Sequence, residues 1–205
     1  MKKNKTSKSW IIKQHRDQYF KNSKSHGYRS RSAYKLLEID EKFKFLKNKK
    51  TIIDLGGFPG GWCQVVKEIV KKGKIISIDK KKMSQIEGVS IIQGDFLEEE
   101  IKKEIFIKLG EKADILISDM AANTTGNKSL DCIRTNALCI EVLEFSKNVL
   151  KENGVVISKL FTGQDFIEIK NLAKKKFKKV DFFKPKSSRD ESKETYIHCK
   201  GIKTL

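Results

Sequence analysis

Long apolar runs are missing from this sequence, and none approaches the roughly 18 to 20 residues that a membrane-spanning helix needs. The opening stretch MKKNKTSKSW also lacks the apolar core of a secretion signal, so a cytoplasmic protein with no membrane partner is expected. Paired cysteines are missing too. Cys63, Cys132, Cys139 and Cys199 form no C-x-x-C pair, and His15, His26 and His198 show no ligand spacing, which favours reduced, packed thiols and no metal. No Pro/Gly/Ser-rich linker interrupts the 205 residues, so a single domain over 1–205 is expected. Arginine is scarce, with five among the 44 basic residues.

What the chain has in excess is positive charge. The balance of 44 basic against 26 acidic residues gives +18, which suits a polyanionic partner, although a lysine excess alongside much Ile and Asn also fits an AT-rich genome. The placement of the arginines says more. Arg29 and Arg31 stand in GYRSRSAYK and Arg189 in KPKSSRDESKE, and arginine kept in a lysine-rich chain suggests a need for the planar fork that suits phosphate. These two segments, with Lys35 and Lys186, form the expected RNA-facing surface.

Short β-branched runs alternate with helical patterns to the end of the chain, the pattern of a mostly parallel sheet with helices on both faces. Strands are expected at 51–55, 74–79, 89–93, 114–118, 154–160, 179–184 and 194–200, and helices at 30–45, 62–72, 134–151 and 164–176. The last two strands are too close in sequence for a crossover helix and so predict an antiparallel pair, the plan of a Rossmann-like methyltransferase.

In such a sheet, ligands gather at the carboxyl ends of the strands. The first strand runs into DLGGFPGGW, with Gly56, Gly57, Gly60 and Gly61 in a short span. No Lys-Ser/Thr follows them and G-x-G-x-x-G does not fit, which speaks against a polyphosphate ligand. Asp54 precedes the glycines. Asp79 ends the second strand at a position suited to ribose hydroxyls. In GDF, Asp95 suits an adenine amino group and Phe96 a covering ring. Asp119 ends the fourth strand, and Lys159 lies in a fifth that otherwise reads as buried. Taken singly, each aspartate also reads as a helix cap or turn residue, whereas a lysine in a buried strand is costly unless paired or functional.

Six stretches in order, RSRSAYKLLEI (29–39), DLGGFPGGWCQ (54–64), GDF (94–96), SDMAANTTG (118–126), VISKLF (156–161) and KPKSSRDESKETYI (184–197), resemble the FtsJ/RrmJ family of RNA ribose 2'-O-methyltransferases. The resemblance runs from about Trp10 to Lys203. It implies a catalytic tetrad of Lys35, Asp119, Lys159 and Glu194. It also implies S-adenosyl-L-methionine as cofactor, held by Asp54, Gly56, Gly60, Gly61, Trp62, Asp79, Asp95, Phe96 and Asp119. The implied substrate is a uridine in large-subunit (23S-type) rRNA within the ribosomal subunit, late in assembly. The leader SWIIKQHRDQY, part of a basic segment 1–28, favours this over a tRNA anticodon-loop substrate, and the filled tetrad speaks against a vestigial rRNA-binding assembly factor. A monomer is expected. For Lys159 to deprotonate a hydroxyl it must be neutral, so Lys35 and desolvation are expected to lower its pKa against the pull of Asp119. Where the family it resembles usually has Ala-Ala-Pro and Ala-Pro-Asn, this chain has Gly57-Phe58-Pro59 and Ala121-Ala122-Asn123, two departures beside the expected cofactor and catalytic aspartate.

Overall fold

A computed structural model of the chain describes residues 17–203, so most of SWIIKQHRDQY and the first part of the leader lie outside the described residues. Seven strands form one sheet: β1 Thr51–Leu55, β2 Lys74–Asp79, β3 Val89–Gln93, β4 Ala113–Ser118, β5 Leu150–Phe161, β6 Phe177–Phe183 and β7 Glu194–Ile202. Their order is β3-β2-β1-β4-β5-β7-β6, parallel from β3 through β5, with β7 antiparallel to both β5 and β6. The expected parallel sheet with an antiparallel C-terminal hairpin is therefore the observed one. Chain order reverses between β1 and β4, where Leu55 lies beside Ser118, so the switch point sits at the expected ligand end.

Because side chains alternate across a strand, each strand feeds two cores. On one face Ile53, Leu116, Val156 and Ile197 pack with α4 (Glu99–Leu109), α5 (Lys128–Val149) and α6 (Phe166–Lys176). On the other, Ile52, Ile115, Ile157 and Tyr196 pack under α2 (Ser32–Phe43) and α3 (Gly61–Ile69). The same parity places Asp54 with Ile52, and Lys159 with Ile157, on the α2/α3 face.

The helices differ from expectation in identifiable ways. α1 (Gln18–Ser25) buries only Ser23, so it carries no apolar stripe to read; Asp17 caps it by accepting from the Phe20 amide. In α4 only Ile105 and Leu109 are buried, too thin a stripe to stand out from the charged residues between them. α5 starts six residues before the expected 134, because Asn127 accepts from the Ser129 and Leu130 amides and nucleates a polar first turn. It ends at Val149, short of the expected 151, because β5 begins at Leu150. The irregular register between Ala113 and Ile115 absorbs this early start of β5.

Asp114 ties the far end of the sheet together. Its Oδ2 accepts from the Lys50 and Thr51 amides at 2.8 and 3.0 Å, and its Oδ1 from Lys151 Nζ at 3.1 Å. Desolvation pushes its pKa up, but these donors outweigh it and hold the group below the ordinary carboxylate range. A depressed folded pKa means stability present above the unfolded value and lost as pH falls through the folded one. Asp114→Ala should therefore cost about 1 to 3 kcal/mol at neutral pH. In urea unfolding, the difference from wild type should shrink below about pH 4.

Candidate active site

The four tetrad residues meet in one cluster. Lys159 Nζ lies 2.6 Å from Asp119 Oδ1 and 3.3 Å from Glu194 Oε2, and it also donates to the Asp119 carbonyl at 3.0 Å. Lys35 Nζ approaches both Glu194 oxygens, at 2.7 and 2.8 Å. Strand register explains the assembly. In the β5–β7 ladder Phe161 faces Glu194 and Lys159 faces Tyr196, so β5 and β7 present Lys159, Glu194 and Tyr196 on one face. α2 covers that face and supplies Lys35 from above.

Lys159 is 7% exposed and Glu194 8%. Desolvation opposes both charges, but opposite charges at contact distance prevail. Glu194 is held well below the usual carboxylate range by Lys159 and Lys35, and Lys159 is held above its ordinary value by Asp119 and Glu194. The lowered Lys159 pKa expected from sequence is thus overturned, because that expectation omitted Glu194 as a second contacting carboxylate. Lys159 rests as an ammonium.

Sequence reasoning assigned no role to Tyr196 or Ser188. Tyr196 is fully buried, donates its hydroxyl to Asp119 Oδ1 at 2.5 Å, and lies with its ring centroid 5.8 Å from that of Trp62. The Ser188 hydroxyl donates to Glu194 Oε1 at 2.7 Å. The available signal was strand alternation: Tyr196 lies two residues beyond Glu194 and shares its face.

Asp119 also belongs to a cleft of about 810 Å³, lined by Gly56, Phe58, Asp79, Asp95, Phe96, Met120, Leu138 and neighbours. Gly56 is required there. Its φ is +77°, and a Cβ would come within 2.4 Å of Met120 Cγ across the switch point. The Asp79 carboxylate is fixed by the amides of Phe58 (3.0 Å) and Lys81 (2.8 Å). Asp95 is engaged by Lys80 at 2.6 Å. Phe96 is 3% exposed and packs edge-on against Phe145, so it walls the cleft from the core and does not cover it.

Asp54, Gly60, Gly61 and Trp62 do not line the cleft; they support it. Asp54 is fully buried and accepts from Cys63 Sγ at 3.0 Å, and burial raises its pKa to about 7. Gly60, at φ +115°, lets Arg29 pack against the loop, while Trp62 Nε1 donates to the Ser32 carbonyl at 2.8 Å. Arg29 donates to the carbonyls of Ser84 (2.7 Å), Gln85 (2.9 Å) and Pro59 (3.3 Å). Arg31 pairs with Asp17 and donates to the Ser187 carbonyl. Both guanidiniums are therefore engaged within the protein, while Lys186 and Arg189 stand exposed on the 184–193 loop. Among the described residues no cluster of His, Cys, Asp and Glu is arranged to hold a metal, and no helix is long and apolar enough to cross a membrane.

The family model for FtsJ-like methyltransferases matches residues 28–202. The chain belongs to this family. It is 52% identical to the ribosomal RNA large subunit methyltransferase E of Pelagibacter ubique over 99% of this chain and all of that protein. The protein of the same name from Rickettsia akari is 46% identical over 96% of this chain and 89% of its own length. A solved Plasmodium falciparum protein assigned as a ribosomal RNA methyltransferase superposes with a TM-score of 0.77 at 38% identity, covering 85% of this chain and 98% of that one. Human methyltransferase-like protein 13, solved with SAH, shares the fold at a TM-score of 0.58 and 14% identity, over 82% of this chain and 78% of that one. The enzyme is a methyltransferase with the Rossmann-like fold of its class.

Tyr196→Phe should keep the fold while removing a donor from Asp119, a loss worth about 1.5 to 3 kcal/mol for a bond to a charged group. The expected outcome is a methyl-transfer rate down by roughly ten- to a hundredfold with a near-native far-UV spectrum. An unchanged rate would mean that Asp119 needs no help from Tyr196.

Proposed function

We propose that this methyltransferase uses S-adenosylmethionine to methylate the ribose 2'-hydroxyl of a uridine in large-subunit ribosomal RNA, presented within the ribosomal subunit. The observation that carries the reading is that one carboxylate, Asp119, is shared between the cleft and a buried Lys-Asp-Lys-Glu cluster. The names of the relatives support the RNA substrate, and the net charge of +18 agrees with it. A cleft of about 810 Å³ suits a cofactor of this size, and its carboxylates, Asp79 and Asp95 among them, are acceptors suited to ribose and amine donors.

When bound, S-adenosylmethionine supplies a methyl group on a positively charged sulfur, open to displacement by oxygen. The residues of the chain divide the remaining work. Asp79, pinned by two amides, accepts from the cofactor's ribose hydroxyls with its remaining lone pairs. Asp95 accepts from the adenine amino group, sharing its carboxylate with Lys80. Lys159 holds the substrate hydroxyl at its Nζ and receives its proton. Glu194 keeps Lys35 and Lys159 in place. Lys186 and Arg189 meet phosphates, while Arg29 and Arg31 brace the loops behind them.

A lysine that rests protonated accepts a proton only from the fraction that has lost its own. With the Lys159 pKa raised, that fraction grows with pH through neutrality and beyond, so the single-turnover rate should climb into the alkaline range without a plateau near neutral pH. Lys159→Ala should abolish turnover and leave calorimetric affinity for S-adenosylhomocysteine unchanged. Asp79→Ala and Asp95→Ala should each weaken that affinity by about 1 to 3 kcal/mol.

The deciding experiment is transfer of labelled methyl to large ribosomal subunits, naked rRNA and tRNA, followed by alkaline hydrolysis. The expected label is on subunits, in alkali-resistant dinucleotides, because a methylated 2'-oxygen cannot attack the adjacent phosphate. Base-labile or base-attached label would refute ribose methylation, and label confined to tRNA would replace the substrate.

A further inference from the structure

Five arginines stand among the 44 basic residues, and the structure accounts for them unevenly. Arg16 lies outside the described residues. Arg29 and Arg31 serve internal contacts, and Arg189 stands on the 184–193 loop. Arg134 is, among the described residues, the arginine that lines the cleft. It is exposed on α5, and one Nη1–H donates to the Asn123 carbonyl at 3.2 Å, which aims the guanidinium along the loop that follows Asp119.

Holding that loop is not a sufficient reason for Arg134. The Ala122 amide donates to Thr135 Oγ1 at 3.2 Å, and the Thr125 amide and hydroxyl donate to Asp131 Oδ1 at 2.7 and 2.8 Å. Those contacts fix the loop on both sides of Asn123, and Arg134 keeps most of its five donors for other use. The charge of the cleft supplies that use. Asp79, Asp95, Asp119 and Glu141 line it; with Asp95 paired to Lys80 and Asp119 to Lys159, Asp79 and Glu141 remain to repel a polyanion brought up to Asp119, and Lys81 and Arg134 are the lining cations outside those pairs. Lys80, on the opposite wall, is neutralised by Asp95 at 2.6 Å.

We infer that Arg134 grips a phosphodiester of the RNA strand next to the target ribose, presenting its planar fork to two phosphate oxygens. The inference rests on the RNA reading above. It places the strand across the α5 rim of the cleft and gives Arg134 the phosphate duty that Arg29 and Arg31 do not perform. A fork fits two oxygens at once, whereas lysine offers only a point charge, so arginine here is not interchangeable with lysine.

The test compares wild type, Arg134→Ala and Arg134→Lys on unmethylated large ribosomal subunits over a range of salt, with S-adenosylhomocysteine affinity measured by calorimetry. For Arg134→Ala, KM for subunits should rise about tenfold or more, as expected for losing a charged hydrogen bond. Its log–log salt slope should fall by about one phosphate contact, while kcat and cofactor affinity stay near wild type. Arg134→Lys should keep the salt slope and still raise KM. A fall in kcat with unchanged KM and slope would assign Arg134 to loop positioning, and a loss of S-adenosylhomocysteine affinity would assign it to the cofactor; either result overturns the inference, as does unchanged behaviour throughout. Failure of wild type to methylate subunits would instead bring down the ribosomal-subunit reading, and the role of Arg134 argued from it.

Discussion

Glu194 is the residue on which the site turns. It is a buried carboxylate held between two lysines, and burying a charge is costly unless partners at contact distance repay the lost hydration. Lys35 comes from α2, Lys159 from β5, Asp119 from the end of β4 and Glu194 from the start of β7. Two cations and two anions balance, so each member depends on the others for compensation. The cluster therefore locks four separated segments into one arrangement, and the proposed active site doubles as a structural joint.

The direction of β7 makes this possible. Because β7 runs antiparallel to β5, its first residue arrives at the carboxyl end of β5, where Asp119 and Lys159 of the parallel strands also lie. Running parallel, its first residue would lie at the opposite end of the sheet. The 184–193 loop that delivers β7 is itself fastened to α2: Glu38 accepts from the Lys186 and Ser187 amides, at 2.5 and 3.0 Å, and Arg31 donates to the Ser187 carbonyl. The basic motif before α2 and the basic loop before β7 are thus two sides of one clamp.

The two departures from the family pattern are accommodated by different means. Phe58 sits at the cleft mouth, 43% exposed, with Lys81 Nζ 5.1 Å from its ring centroid, so its bulk is directed away from the crowded base of the glycine loop. Ala122 has an amide proton that proline lacks, and that proton is used in the bond to Thr135. A ring constraint is replaced by a hydrogen bond, and the turn after Asp119 stays anchored.

The strand pattern, the glycine loop, the acidic strand ends and the lysine within an apolar strand were legible in the sequence, because each is a local signal with a period of two or a conformational demand on one residue. The identity of the tetrad followed from ordered motifs. Its protonation did not, since burial of Lys159 is outweighed by Asp119 together with Glu194, the latter 35 residues away in sequence and in contact in the fold. Nor did the duties of the arginines. The placement of Arg29, Arg31 and Arg189 marks them as sites wanting a planar fork, but only packing decides whether the fork meets backbone carbonyls or open solvent. Sequence alone determined which chemistry this chain carries and the strands that carry it. Tertiary structure decided which charges neutralise one another and which remain to meet a substrate, because electrostatic energy depends on distance and burial, and neither is written along the chain.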